Sequence, residues 1–173
     1  MNTDKTERKN LRICFLGDSM TYGVGTTKKY QDIIAELTGA EVFGFGIDGA
    51  KTIHLFTELE NMEKTVGTDF DVLSILIGTN DIGKDIPSEY TLKNIQDILS
   101  VTHEVCPSTN IILQAIYPVN SRMSLKARQM VGKRSNKKIL AINEELHNIA
   151  VENKVHWLDL TKYLSDKKGR LAK

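Results

Sequence analysis

The sequence predicts an α/β protein, a three-layer α/β/α sandwich on a parallel sheet of five strands. Three observations predict it. The stretches Val72–Ile77 and Ile111–Tyr117 are apolar at nearly every position rather than alternating, as in strands covered on both faces. Amphipathic stretches of helical spacing lie between the strand candidates, so successive strands join through right-handed crossovers. Finally, three strand candidates stop at small polar segments, which a parallel sheet gathers at its carboxyl edge, where open α/β folds bind ligands.

Residues 1–10, MNTDKTERKN, read as a polar extension, and 11–173 as one domain. Leu11–Leu16 forms the first strand and breaks at Gly17-Asp18-Ser19. Lys28–Thr38 carries Tyr30, Ile33, Ile34 and Leu37 at helical spacing, and Gly39 supplies a stop. Glu41–Ile47 is a short strand ending in Gly46-Ile47-Asp48-Gly49, and a second helix places Ile53, Phe56, Leu59, Met62 and Val66 on one side. Val72–Ile77 ends at Gly78-Thr79-Asn80-Asp81. A third helix opens at Pro87-Ser88, with Ser88 as the expected N-cap, and closes at Cys106-Pro107. Pro118 cuts the fourth strand, and an irregular loop of about fifteen residues is expected next, longer than the usual connection. A fourth helix near Asn136–Asn153, a fifth strand at Val155–Leu158 and a polar tail, Asp159–Lys173, complete the chain.

The composition narrows the function classes. Net charge +1 gives no global reason to expect nucleic acid or an anionic membrane. No apolar run approaches the ~20 residues that span a bilayer, and the N-terminus lacks the apolar core of a signal peptide. Cys14 and Cys106 read as two buried, reduced thiols, which fits a cytoplasmic protein. The four histidines show no metal-ligand spacing, so neither metal nor cofactor is expected.

The three strand ends carry the chemistry. Acyl transfer needs a nucleophilic hydroxyl and donors aimed at the developing oxyanion. Ser19, held on a sharp turn after a buried strand, can supply the hydroxyl. The backbone N–H groups of Ser19 and Gly49 and the side-chain amide of Asn80 can supply the donors.

At these residues the chain resembles the GDSL/SGNH hydrolase family of esterases and acylhydrolases. GDSMTYG resembles its nucleophile block, GIDGAKT the block with the oxyanion glycine, and GTND the block with the oxyanion asparagine. The blocks stand in the family's order, with Met20 where the name motif has leucine. The resemblance implies the SGNH hydrolase fold, a flavodoxin-like, five-stranded parallel sheet. It also implies Ser19 as nucleophile with Gly49 and Asn80 completing the oxyanion hole, and leaves Asp18 and Asp81 to brace their loops.

One family block is missing. Members take their base from an Asp-x-x-His block near the C-terminus, and none occurs in these 173 residues. The tail VHWLDLTKYLSDKKGRLAK resembles the segment that precedes it, so the domain is expected to lack the family's last segment. The histidines present are weak substitutes. Glu144-x-x-His147 imitates the block, but His147 falls off the apolar stripe of its helix; His54 lies on a polar side; His103 nears a helix end; His156 sits in the last strand. The expected function is therefore hydrolysis of a small ester (an acetylated sugar, short-chain acyl ester or lysophospholipid) by a chain whose base is absent or supplied elsewhere. The alternative is a non-catalytic member that keeps the pocket for binding.

Two further expectations concern other partners. Gly23-x-Gly25 hints at a phosphate loop, but Lys28 replaces the third glycine of a dinucleotide fingerprint, which weakens a nucleotide-binding reading. Arg122–Lys138 holds Arg122, Lys126, Arg128, Lys133, Arg134, Lys137 and Lys138 with no acidic residue, expected as a solvated loop or an electropositive rim. In the resembling family a final helix covers one sheet face. An exposed apolar strip beside the first helix is thus expected, hidden in solution by homo-oligomerisation, element exchange or aggregation.

Overall fold

A computed structural model describes residues 10–122 and 124–172. The polar extension therefore lies, but for Asn10, outside the described residues. Five parallel strands, β1 (Arg12–Gly17), β2 (Glu41–Gly46), β3 (Val72–Leu76), β4 (Asn110–Gln114) and β5 (His156–Leu158), form one sheet in the order β2-β1-β3-β4-β5. The helices are α1 (Ser19–Tyr22), α2 (Tyr30–Thr38), α3 (Leu55–Val66), α4 (Thr79–Gly83), α5 (Ser88–Val105), α6 (Leu125–Val131), α7 (Asn136–Glu152) and α8 (Thr161–Leu164). Among the described residues, no helix is long and apolar enough to cross a membrane.

Register divides the sheet into two faces. Cys14, Leu16, Leu73, Ile75, Ile111 and Leu113 share one face and are almost wholly buried. They join Leu55, Leu59 and Met62 of α3, Ile95, Ile98 and Leu99 of α5, and Ile139, Ile142 and Leu146 of α7 in one core. Each such side chain, fully buried, contributes about 1.5–3 kcal/mol. On the opposite face α2 lies against β2 and reaches β1 through the Tyr30 ring, edge-to-face on Phe15 at 5.2 Å. That face is less completely covered: Ile13, Val42, Val72, Ile112 and Leu158 remain half-buried, and on α2 Ile33 and Leu37 are 42% and 80% exposed.

Several local expectations need correction. Ile53 belongs to a 3-10 turn, Thr52–His54, ahead of α3 and is exposed; Leu55 takes the core position. Pro87, not Ser88, takes the N-cap position of α5; its ring has no acceptor, so no side chain caps that end, and its fixed φ sets the extended entry to the helix. The loop expected after Pro118 contains α6, and Ser135 caps α7 by accepting from the Lys138 N–H at 3.2 Å. The tail also folds back. Ser165 pairs with Leu171, Asp166 with Arg170, and the Asn120 and Asn136 amides donate to the carbonyls of Leu171 and Gly169 at 2.9 and 2.8 Å. Asparagines distant in sequence thus order a segment whose own composition is polar.

Candidate active site

At the carboxyl edge, β1 delivers Gly17 and Asp18 into the single turn of α1. Asp18 accepts a hydrogen bond from the Met20 N–H at 2.9 Å and caps that turn. Gly17 and Gly46 make room for α1. A Cβ on Gly17 would stand 2.3 Å from Thr21 Oγ1, and one on Gly46 would stand 2.3 Å from the Tyr22 nitrogen. Ser19 opens α1, half-buried at the mouth of the site.

β3 is followed by Gly78, in the left-handed region at φ 114°, a conformation that favours glycine. Gly78 starts α4, which carries Thr79, Asn80 and Asp81. Ser19 and Asn80 line one cavity of about 310 Å³. Its walls are chiefly apolar, from Met20, Ile116, Pro118, Met130, Val131 and Leu171, with Asp18, Thr79, Asn120 and Arg134 as polar groups. Such a volume lies at the small end of the ~300–1,000 Å³ typical of ligand sites. Gly49 lines a separate depression of about 250 Å³ with Ile47, Asp48, Ala50, His54 and Thr57. A hydrogen bond from Asn80 Nδ2 to the Ala50 carbonyl, 2.8 Å, connects the two walls.

The two aspartates brace their loops. Asp81, almost wholly buried, accepts from the Thr52 N–H at 3.0 Å and the Thr52 hydroxyl at 2.7 Å, and Asn94 donates to the same hydroxyl oxygen at 3.0 Å. Asp18 is 1% exposed, and burial pushes its carboxyl up to about 6 despite the Met20 N–H and the Arg134 guanidinium, which favour the anion.

None of the four histidines lines the Ser19 cavity. His54 stands by Gly49, but its Nδ1 accepts the Lys51 N–H at 3.0 Å, leaving the neutral ring's proton on Nε2 and no free lone pair for a base. His103 contacts the Asn153 carbonyl at 3.1 Å, and His147, exposed, stacks on Trp157 with centroids 5.6 Å apart. His156 lies exposed on β5, an edge strand, rather than in the core.

Arg134 escaped notice in the sequence as a site residue. Within the basic run, Lys133 and Lys138 turn outward to Asp85 at 3.0 and 2.7 Å, and hydrogen bonds from both hold its carboxyl down to about 2. Arg134 turns inward, its Nη2 donating to Asn80 Oδ1 at 2.6 Å and its Nε to the Thr79 carbonyl at 2.8 Å. Nothing local in the run distinguishes that arginine from its neighbours, and Asp85 is remote in sequence. The side chain of Lys126, expected on the same rim, lies outside the description. Leu171 also escaped notice, because only the fold-back of the tail brings it to the cavity.

A family model described as "GDSL-like Lipase/Acylhydrolase family" matches residues 15–173. Among solved structures, the chain is similar to a candidate platelet activating factor from Streptococcus pneumonia, with TM-score 0.81 and 31% identity, covering 98% of this chain and 75% of that one. It is also similar to the acetyl xylan esterase AlAXEase, with TM-score 0.69 and 19% identity, covering 88% of this chain and 79% of that one, a likeness of fold. A curated relative from Mycoplasma pneumoniae, an uncharacterized protein, is 28% identical over 66% of this chain, which spans only 14% of that protein's length.

Proposed function

The chain belongs to the GDSL-like lipase/acylhydrolase family, and we propose that it is a serine esterase or acylhydrolase acting on a small ester through Ser19. The observation that carries this reading is that Ser19 and Asn80, from the ends of different strands, line one chiefly apolar cavity. In this reading the acyl group lies along Met130, Val131 and Leu171. Ser19 Oγ attacks the ester carbonyl carbon, the alcohol leaves, and water then releases the acid from the acyl-enzyme. Asn80 Nδ2 spends one N–H on the Ala50 carbonyl and keeps a second for the oxyanion. The backbone N–H of Ser19 is a second proposed donor, and that of Gly49, a residue lining the adjoining depression across the Asn80–Ala50 hydrogen bond, is a third.

The position of the histidines, all away from the cavity, favours slow turnover by these residues, because serine without an adjacent base is a poor nucleophile. The same observation supports a second reading, a binding member that holds an ester or acyl ligand without turnover. Hydrolysis of 4-nitrophenyl butyrate by the wild type and by Ser19→Ala separates the two. A rate that Ser19→Ala abolishes supports the esterase. Saturable binding of the ester with a background rate equal in both proteins supports the binding member.

A further inference from the structure

We infer that Arg134 is a positioning residue that orients and polarises the Asn80 amide, an inference that rests on the oxyanion role proposed above for Asn80. The hydrogen bonds of its guanidinium decide what Arg134 can do. Nε donates to the Thr79 carbonyl and hydroxyl oxygens at 2.8 and 3.0 Å, Nη1 to the Met130 and Val131 carbonyls at 2.9 and 3.1 Å, and Nη2 to Asn80 Oδ1 at 2.6 Å. A guanidinium has five N–H groups, so one is left. Arg134 therefore cannot offer a substrate anion the paired donors of a bidentate contact, and the electropositive-rim reading does not extend to it.

Asn80 is held at both ends. Its oxygen accepts from a cation, and its nitrogen donates to the Ala50 carbonyl at 2.8 Å. A flipped amide would set its NH2 against the guanidinium and its oxygen against the Ala50 oxygen, losing both bonds. Arg134 thus keeps the free N–H of Nδ2 in place. A charge-assisted bond to the amide oxygen also draws electron density from the nitrogen, which makes that N–H a stronger donor.

A second observation points the same way. Gly83 ends α4 without a positive φ, so its backbone does not call for glycine. A Cβ there would stand 2.7, 2.8 and 2.9 Å from Cζ, Nη1 and Nη2 of Arg134. The absent side chain is the space in which the guanidinium lies.

The bland alternative is that Arg134 only staples α6 to α4, and a labelling experiment separates the two. The probe is a fluorophosphonate ester, which phosphonylates a reactive serine and reads the oxyanion donors without requiring turnover. Arg134→Met is expected to lower the maximal labelling rate of Ser19 at least about tenfold, with half-saturation changed less than about twofold. Gly83→Ala, which displaces the guanidinium without removing it, is expected to act in the same direction and serves if Arg134→Met does not fold. The pair Asn80→Ala and Arg134→Met is expected to label no more than about twofold slower than Asn80→Ala alone, because the arginine acts through the amide. Slow labelling of Asn80→Ala with wild-type labelling of Arg134→Met and Gly83→Ala overturns the Arg134 inference alone, as do losses that multiply in the pair. No labelling of wild-type Ser19, or undiminished labelling of Asn80→Ala, overturns the oxyanion reading and this inference with it.

Discussion

Asn80 donates its side-chain amide to the Ala50 carbonyl at 2.8 Å, which fastens the turn after β3 to the segment after β2. The next residue, Asp81, grips Thr52 by backbone and hydroxyl. Two neighbours on α4 thus hold residues 50 and 52, with Gly49 just ahead of them, and do so by different chemistry. In the proposed reading Asn80 keeps a donor free for the oxyanion, whereas Asp81 is enclosed by the protein. Asn80→Ala is expected to reduce Ser19-dependent ester hydrolysis about 10²–10³-fold, measured as kcat under saturating substrate.

Asp81→Ala should instead show itself in stability. It would leave the buried Thr52 N–H without its acceptor, and an orphaned buried donor costs about 1–3 kcal/mol. Urea unfolding is expected to show a lower midpoint with an unchanged slope.

Asp18 gives a pH dependence of definite sign. Its folded carboxyl is raised from 3.8 to about 6, so the folded chain binds that proton more tightly than the unfolded chain. The stability this contributes is fully present below about pH 4 and is lost as pH rises through about 6, a span of up to ~3 kcal/mol. Asp18→Asn keeps an oxygen for the Met20 N–H and removes the titration. The difference in unfolding free energy, wild type minus Asp18→Asn, is expected to fall between pH 4 and pH 7. A flat or rising difference would contradict the assignment.

We propose that the half-buried Ile13, Val42 and Val72 and the exposed Ile33 and Leu37 form an apolar strip that a second copy covers. Light scattering over a hundredfold range of concentration is expected to show self-association that Leu37→Glu weakens. A monomer throughout would show that the strip stays solvated.

Much of this was legible in the sequence because the signals are local. Uninterrupted apolar runs gave the parallel strands, and the stops at Gly17-Asp18-Ser19 and Gly78-Thr79-Asn80-Asp81 marked the edge where Ser19 and Asn80 share a cavity. What stayed hidden depends on contacts between remote residues. Arg134 is one charge in a basic run until its partners, 54 and 55 residues away, are known. The tail reads as polar until Asn120 and Asn136 pin it back and bring Leu171 to the cavity. Ser88 has the chemistry of a cap, yet the proline before it takes that position.

The most direct test of the proposed function is whether Ser19 is the nucleophile. The protein is treated with a fluorophosphonate ester, and the adduct is mapped by peptide mass spectrometry alongside a Ser19→Ala control. A single phosphonyl adduct on Ser19, absent from the Ser19→Ala protein and accompanied by loss of its ester hydrolysis, is the expected result. Labelling elsewhere with Ser19 unmodified, or ester turnover undiminished in Ser19→Ala, would contradict it.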